Sequence, residues 1–222
     1  MKNEFRPASL EERKKFYKNF SVERVEEWFR KNHLALPQIC ALDPGTDTRI
    51  ILNKKLKGNL MYFPFNELKE KISEYLPEDV YYDRNVYKNP EEELKKLKFI
   101  NYVKQELVFD LDTDNIECKC KDKNKICKEC IKKLLMIALE MKGDLEKYFD
   151  KIVLVYSGRG FHLHVLDKKA FNLNNKRRRE ITKKFSNYPI DPWVSRGYID
   201  LIRMPYSLNG LVNKKVIPLE KK

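Results

Sequence analysis

Asp110 and Asp112 close the segment Gln105-Glu-Leu-Val-Phe-Asp-Leu-Asp112. Its alternation of apolar and polar residues predicts a β-strand, and on a strand residues i and i+2 share a face. Both carboxylates then project from one side, while Leu107, Phe109 and Leu111 turn into a core. Two neighbouring carboxylates repel, and a divalent cation relieves that repulsion. Ligation by oxygen alone selects Mg²⁺ or Mn²⁺ over zinc. A D-x-D pair by itself is more often a solvated strand end; its place at the end of an apolar strand strengthens the case for the metal.

Ser157-Gly-Arg-Gly-Phe-His162 is a second chemical segment. Its two glycines allow a tight turn and a close approach of backbone to a ligand. A hydroxyl (Ser157), a guanidinium (Arg159) and an imidazole (His162) converging there suit phosphate oxygens. The bland alternative is a glycine hairpin. His164 shares the face of His162 by strand parity, and a packed, satisfied histidine is the simpler reading of it.

Four of the five cysteines, Cys118, Cys120, Cys127 and Cys130, form a C-x-C-x6-C-x2-C cluster among lysines. Four thiolates at such spacing suit tetrahedral Zn²⁺, and the lysines favour the thiolate forms. With no open coordination position the zinc is expected to be structural. Cys40 reads as a packed core thiol.

The elements that must position these groups are legible in outline. Ser9-Leu-Glu-Glu12 is a capping-box start for helix over 9–31, with a break near Ser21. Residues 35–58 read as irregular, with short strands at 49–52 and 60–63. A helix follows over 66–76, then strands at 80–82 and 86–87. Helix is expected over 131–142 and about 144–149. Strands at 151–157 and 161–166 flank the glycine loop. A basic helix runs over 174–187, where Lys176, Arg177, Arg178 and Arg179 form either a solvated face or a track for a nucleic-acid backbone. Asp191 stands at the start of an expected strand, and a last strand or turn covers 200–203. Strands and helices intermix without strict alternation, which predicts a mixed α/β fold.

Composition sets limits. Lys and Arg total 46 against 33 acids, a net charge of +13 that favours a polyanionic partner. Lysine-rich surfaces also occur for reasons of stability at high temperature. No apolar run reaches the roughly 18 residues of a membrane span. The first residues lack an apolar leader, so an intracellular protein is expected.

Taken in order, Phe109-Asp-Leu-Asp112, the Cys118–Cys130 cluster, Tyr156-Ser-Gly-Arg-Gly-Phe-His162 and Arg203-Met-Pro-Tyr-Ser-Leu resemble the catalytic small subunit of archaeal and eukaryotic DNA primases. The likeness runs from about residue 9 to 218. It implies a compact primase-polymerase catalytic core, a single domain over 1–222 with mixed β-sheets, flanking helices and an inserted zinc-binding loop at 118–130. By the same resemblance Asp110, Asp112 and Asp191 hold two Mg²⁺ or Mn²⁺ ions. Ser157, Arg159, His162 and Arg203 contact the nucleotide's phosphates. Asn209 stands where the family usually has histidine, and it can donate a hydrogen bond but carries no charge. Only 28 residues separate His162 from Asp191, so the helical insertion common in relatives between 163 and 190 is reduced or absent. The implied activity is template-directed synthesis of short primers from nucleoside triphosphates on single-stranded DNA, in an archaeon. The implied partner is a primase large subunit, or a fused C-terminal iron–sulfur domain. A repair or plasmid-type primase-polymerase preferring deoxynucleotides is the second reading, and a non-catalytic zinc module that binds nucleic acid is the third.

Overall fold

A computed structural model of the chain describes residues 5–45, 60–117 and 126–219. In chain order the elements are α1 (Leu10–Tyr17), α2 (Val22–Lys31), β1 (Ile39–Asp43), β2 (Met61–Pro64), α3 (Leu68–Tyr75), β3 (Asp79–Asp83), β4 (Asn85–Tyr87), α4 (Pro90–Lys96), β5 (Tyr102–Gln105), β6 (Leu107–Asp112), α5 (Lys128–Leu145), β7 (Ile152–Tyr156), β8 (Gly160–Val165), α6 (Lys168–Phe171), α7 (Asn175–Lys184), α8 (Pro192–Ser195), β9 (Leu201–Arg203), β10 (Leu208–Asn209), β11 (Lys214–Lys215) and β12 (Ile217–Leu219). The fold is mixed α/β. Over the span expected to form one catalytic domain, the chain forms two compact units.

The first unit contains Gln105–Asp200 and the last strand. Its antiparallel sheet has the order β12-β7-β8-β6. Strand parity sorts the side chains. Leu107, Phe109, Leu111, Leu154, Phe161, Leu163 and Val165 share one face and join a core with Leu134, Ala138, Met141 and Leu145 of α5. The opposite parity carries Asp110, Asp112, His162 and His164. The expected break in α5 at Gly143 does not occur. A side chain there would meet nothing within 4 Å, and the helix runs unbroken for 18 residues. The strand expected over 105–112 is two strands: β5 ends at Gln105 and β6 begins at Leu107.

The second unit contains Arg6–Lys104 and Leu201–Val216. Its main sheet has the order β11-β10-β3-β1-β2, with β9 also on β3. Ser9 and Glu12 close the capping box of α1, and Ser21 caps α2 through the Arg24 N–H, so the helical break falls where serine marks it. Trp28 and Phe29 of α2 are buried, and the Phe29 ring meets Tyr82 of β3 edge-on at 5.2 Å. The stretch read as irregular contains β1, an inner strand with four consecutive buried residues. The strand expected at 49–52 lies outside the described residues, as do Cys118 and Cys120.

Candidate active site

β6 and β8 pair so that Asp110 stands opposite His162 and Asp112 opposite Gly160. The two segments singled out separately in the sequence are thus neighbours on one ladder. His162 is buried, and its Nε2 lies 3.6 Å from Asp110 Oδ1. Arg159 Nε donates to Asp112 at 2.9 Å from Oδ2 and 3.0 Å from Oδ1, and an Nη donates to Asp114. Partial burial works against the Arg159 charge, but the facing Asp112 and Asp114 carboxylates outweigh it and raise its pKa.

The loop that presents Arg159 is tightly made. Ser157 Oγ accepts the Gly160 N–H at 3.1 Å, and the Ser157 N–H donates to the Gly160 carbonyl at 3.0 Å. Tyr156 Oη donates to the Gly158 carbonyl at 2.6 Å. Gly158 has φ 99°, a conformation that favours glycine. At Gly160 the need is closeness: a Cβ would sit 2.1 Å from the Leu111 carbonyl oxygen.

Asp191 reaches the same place by backbone. Its N–H donates to the Asp110 carbonyl at 2.8 Å, and Ile190 bridges Leu111. It does not begin a strand: its carboxylate accepts the Trp193 N–H at 2.8 Å and caps α8. Asp followed by Pro is a helix-start signal, because the carboxylate caps and proline suits the first turn.

The donor set fits a hard cation. Asp110 and Asp112 present carboxylates that are 24% and 27% exposed on one face of the sheet. Among the described residues no group of three or more His, Cys, Asp or Glu side chains is gathered to hold an ion. A two-carboxylate site is still a familiar Mg²⁺ arrangement, with substrate phosphates and water supplying the remaining oxygens.

Arg203 and Asn209 belong to the second unit. Arg203 is ion-paired with Asp79, and its guanidinium lies 5.2 Å from the Tyr81 ring centroid. Asn209 is fully buried and pairs with Asp79 across β10 and β3. His164 is a packed histidine, its Nδ1 2.8 Å from Glu106 Oε1. Within the basic run of α7, Arg178 turns inward. It is 1% exposed and donates to the carbonyls of Leu173, Gln105 and Glu106, so it is an anchor and not part of a nucleic-acid track. Cys127 and Cys130 bring their sulfurs to 3.3 Å, and Cys127 caps α5. Sequence reasoning missed Asp114, which holds Arg159, Asp79, which holds Arg203, and Glu106, which holds His164; no spacing rule singles them out.

The profile of the DNA primase small subunit matches residues 109–189. An uncharacterized DNA primase small subunit-like protein of Archaeoglobus fulgidus is 34% identical, with 96% of this chain and 85% of that protein covered. The chain belongs to the DNA primase small-subunit family. The DNA primase small subunit PriS of Pyrobaculum calidifontis is 26% identical over 80% of the chain and 53% of its own length. For PriS of Pyrococcus abyssi the values are 28%, 84% and 51%. The chain therefore spans about half the length of these PriS relatives. Among solved structures, the polymerase domain of Mycobacterium tuberculosis Ligase D in complex with DNA matches with a TM-score of 0.51 at 12% identity, covering 96% of this chain and 81% of that one. That likeness is one of fold. The family match contains Asp110, Asp112, Ser157, Arg159 and His162, and stops short of Asp191. No helix among the described residues is long and apolar enough to cross a membrane.

Proposed function

We propose that the chain is a primase-type nucleotidyltransferase that extends a strand on a single-stranded DNA template, using nucleoside triphosphates. The observation that carries this reading is the cross-strand placement of Asp110 and Asp112 against His162 and the Arg159 loop. Carboxylates for a cation and donors for phosphate share one rigid edge. A pure nucleic-acid-binding module has no use for carboxylates facing a polyanion.

Asp110 and Asp112, with Asp191 as third carboxylate, are the residues assigned to hold Mg²⁺ or Mn²⁺. Such ions, when bound, lower the barrier for a 3′-hydroxyl to displace pyrophosphate from the α-phosphate. Arg159 supplies a planar guanidinium to phosphate oxygens once its carboxylate partners turn to the cation. His162 and the Ser157 loop fix the phosphate's position, which is where most of the catalytic advantage of phosphoryl transfer lies. Arg203 is assigned to the triphosphate as well, and Asn209 to a neutral hydrogen bond. The Cys118, Cys120, Cys127 and Cys130 cluster is assigned to one structural zinc in its reduced state. A primase large subunit, or a fused iron–sulfur domain, is the partner assigned to initiation.

The test is primer extension by the full chain on a single-stranded template with Mn²⁺, run in parallel with ribo- and deoxynucleoside triphosphates. Template-dependent polymer is the expected product, and the preferred sugar separates a replicative primase from a repair-type enzyme. Binding of template without any polymer would leave only the non-catalytic reading.

A further inference from the structure

Ser9 caps α1 and Ser21 caps α2, so the chain turns a fixed corner between two capped helices. A cavity of about 520 Å³ opens at that corner, within the second unit. Phe16, Phe20 and Tyr206 supply its aromatic walls, and Lys15, Arg24 and Lys215 its positive charge. Nothing in the nucleotidyl-transfer reading uses these six residues.

The rings are the first argument. Phe16, Phe20 and Tyr206 are each half-buried. Aromatic rings presented beside an arginine make up the buried centre of many protein interfaces, where tyrosine and arginine carry much of the binding energy. The rings are also held in place. Phe16 and Phe20 meet the buried Tyr17 edge-on, with centroids 5.1 and 5.9 Å away. Tyr206 stands at φ 68°, a region unfavourable for a bulky residue, and its N–H donates to the Val216 carbonyl at 3.0 Å. Rings already fixed lose little freedom when a partner covers them.

Charge is the second argument. Arg24 and Lys215 both approach the Tyr206 ring, 4.4 and 5.6 Å from its centroid. Burial, and then the Arg24 charge, push the Lys215 pKa down. Among the described residues Glu12 is the one acid on the wall, and it is engaged. Arg6 donates to it at 2.7 and 2.6 Å, and the Ser9 N–H at 2.9 Å. Those bonds, the Arg6 one foremost, keep the Glu12 carboxyl at about 2, far below its ordinary value. Two cations gathered at one ring are completed by an anion. The placement also says what kind. A groove for a nucleic-acid strand spreads its cations along several phosphates. Here the cations converge on one ring, and the ionised Glu12 on the same wall repels a polyanion. One or two carboxylates beside an apolar side chain match both halves of the cavity. A peptide also brings N–H donors for acceptors on the wall such as Asn213, which a phosphodiester backbone lacks.

We propose that this cavity docks an acidic peptide segment of a partner protein, with one or two carboxylates against Arg24 and Lys215 and an adjoining apolar side chain against Phe16 and Phe20. The proposal does not depend on the role given to Asp110 and Asp112, and its test reads binding alone.

Fluorescence anisotropy of the full chain in EDTA follows three labelled peptides: Gly-Asp-Asp-Leu-Phe-Gly, the same peptide with Asn-Asn for Asp-Asp, and the same peptide with Ser-Ser for Leu-Phe. Charge-assisted hydrogen bonds predict that the first binds about tenfold or more tightly than the Asn-Asn peptide. Burial of the apolar pair predicts a margin of about tenfold over the Ser-Ser peptide, which carries the same charge and reports general attraction to a basic protein. The margin over Asn-Asn should vanish in Arg24→Gln/Lys215→Gln. A labelled single-stranded oligodeoxynucleotide is titrated in parallel, and its affinity should fall far less than the peptide's in that double variant. Three outcomes overturn the proposal: equal or undetectable binding of the three peptides, survival of the charge margin in the double variant, or an oligonucleotide loss as large as the peptide's, which would give the cavity to nucleic acid. Thermal melting guards the interpretation, since relieving a like-charge pair should leave the double variant at least as stable as the parent. If it melts lower, the single Lys215→Met change, which keeps an apolar stem, serves in its place. It should narrow the charge margin, and a Lys215→Met protein with the full margin overturns the proposal.

Discussion

Asp112 is the more committed of the two site carboxylates. It accepts from Arg159, from the Thr113 hydroxyl and from the Asp114 N–H, whereas Asp110 faces His162 at 3.6 Å. Both Asp110→Ala and Asp112→Ala are expected to abolish primer extension. They should differ in stability. Asp110→Ala removes a repelling charge and leaves the melting temperature unchanged. Asp112→Ala also removes a cap, at a cost of about 1 kcal/mol. Extension assays and thermal melts on the same preparations check both statements, and a folded Asp110→Ala protein extending at the parental rate would remove the metal assignment. Arg159→Lys keeps the charge but loses the planar fork that matches phosphate. It is expected to raise KM for the nucleotide more than it lowers kcat.

Elements were legible where pattern and environment agree. β6 and β8 alternate because one face is a core and the other carries polar side chains, so strand parity put Asp110 and Asp112 on one side of β6, and His162 and His164 on one side of β8, while the pairing that brings those sides together was not legible. β1 was not legible, because four consecutive residues, Ile39-Cys-Ala-Leu42, are buried and no alternation remains to read. In α7, four adjacent basic residues give no apolar stripe, so nothing in the sequence marks Arg178 as the one that turns inward. Two tests belong at this scale. Ser9→Ala should destabilise the second unit by about 1 kcal/mol in denaturant melts, through loss of the α1 cap. Cys127→Ser is sharper, since serine still caps α5 while the thiolate ligand is gone. The parent is expected to carry one zinc per chain after purification under reducing conditions. The variant should carry less and melt lower than the zinc-loaded parent, and the two should converge after chelation. A metal-free parent as stable as the loaded one would remove the structural zinc.

At the scale of the whole molecule, a net charge of +13 suits a nucleic-acid partner, and its binding should weaken steeply with salt. Extension needs one nucleotide placed beside a duplex end, while initiation needs two free nucleotides in register, at a large entropic cost. The chain alone is therefore expected to extend a primer far better than it forms a dinucleotide at matched nucleotide concentration. Comparable rates would remove the need for an initiation partner. The pairing of Asp110 with His162 and of Asp112 with Gly160 has a further consequence in time. Groups mounted on alternate rungs of one ladder cannot open independently of it. Backbone amides of β6 and β8 should therefore exchange with deuterium only at the rate of the deepest opening of their unit, unlike amides in loops. On heating, catalysis should fail together with that sheet and not before it. Asp110, Asp112 and His162 would then keep their arrangement up to the melting of the sheet, and only the loop over residues 157–159 could open earlier.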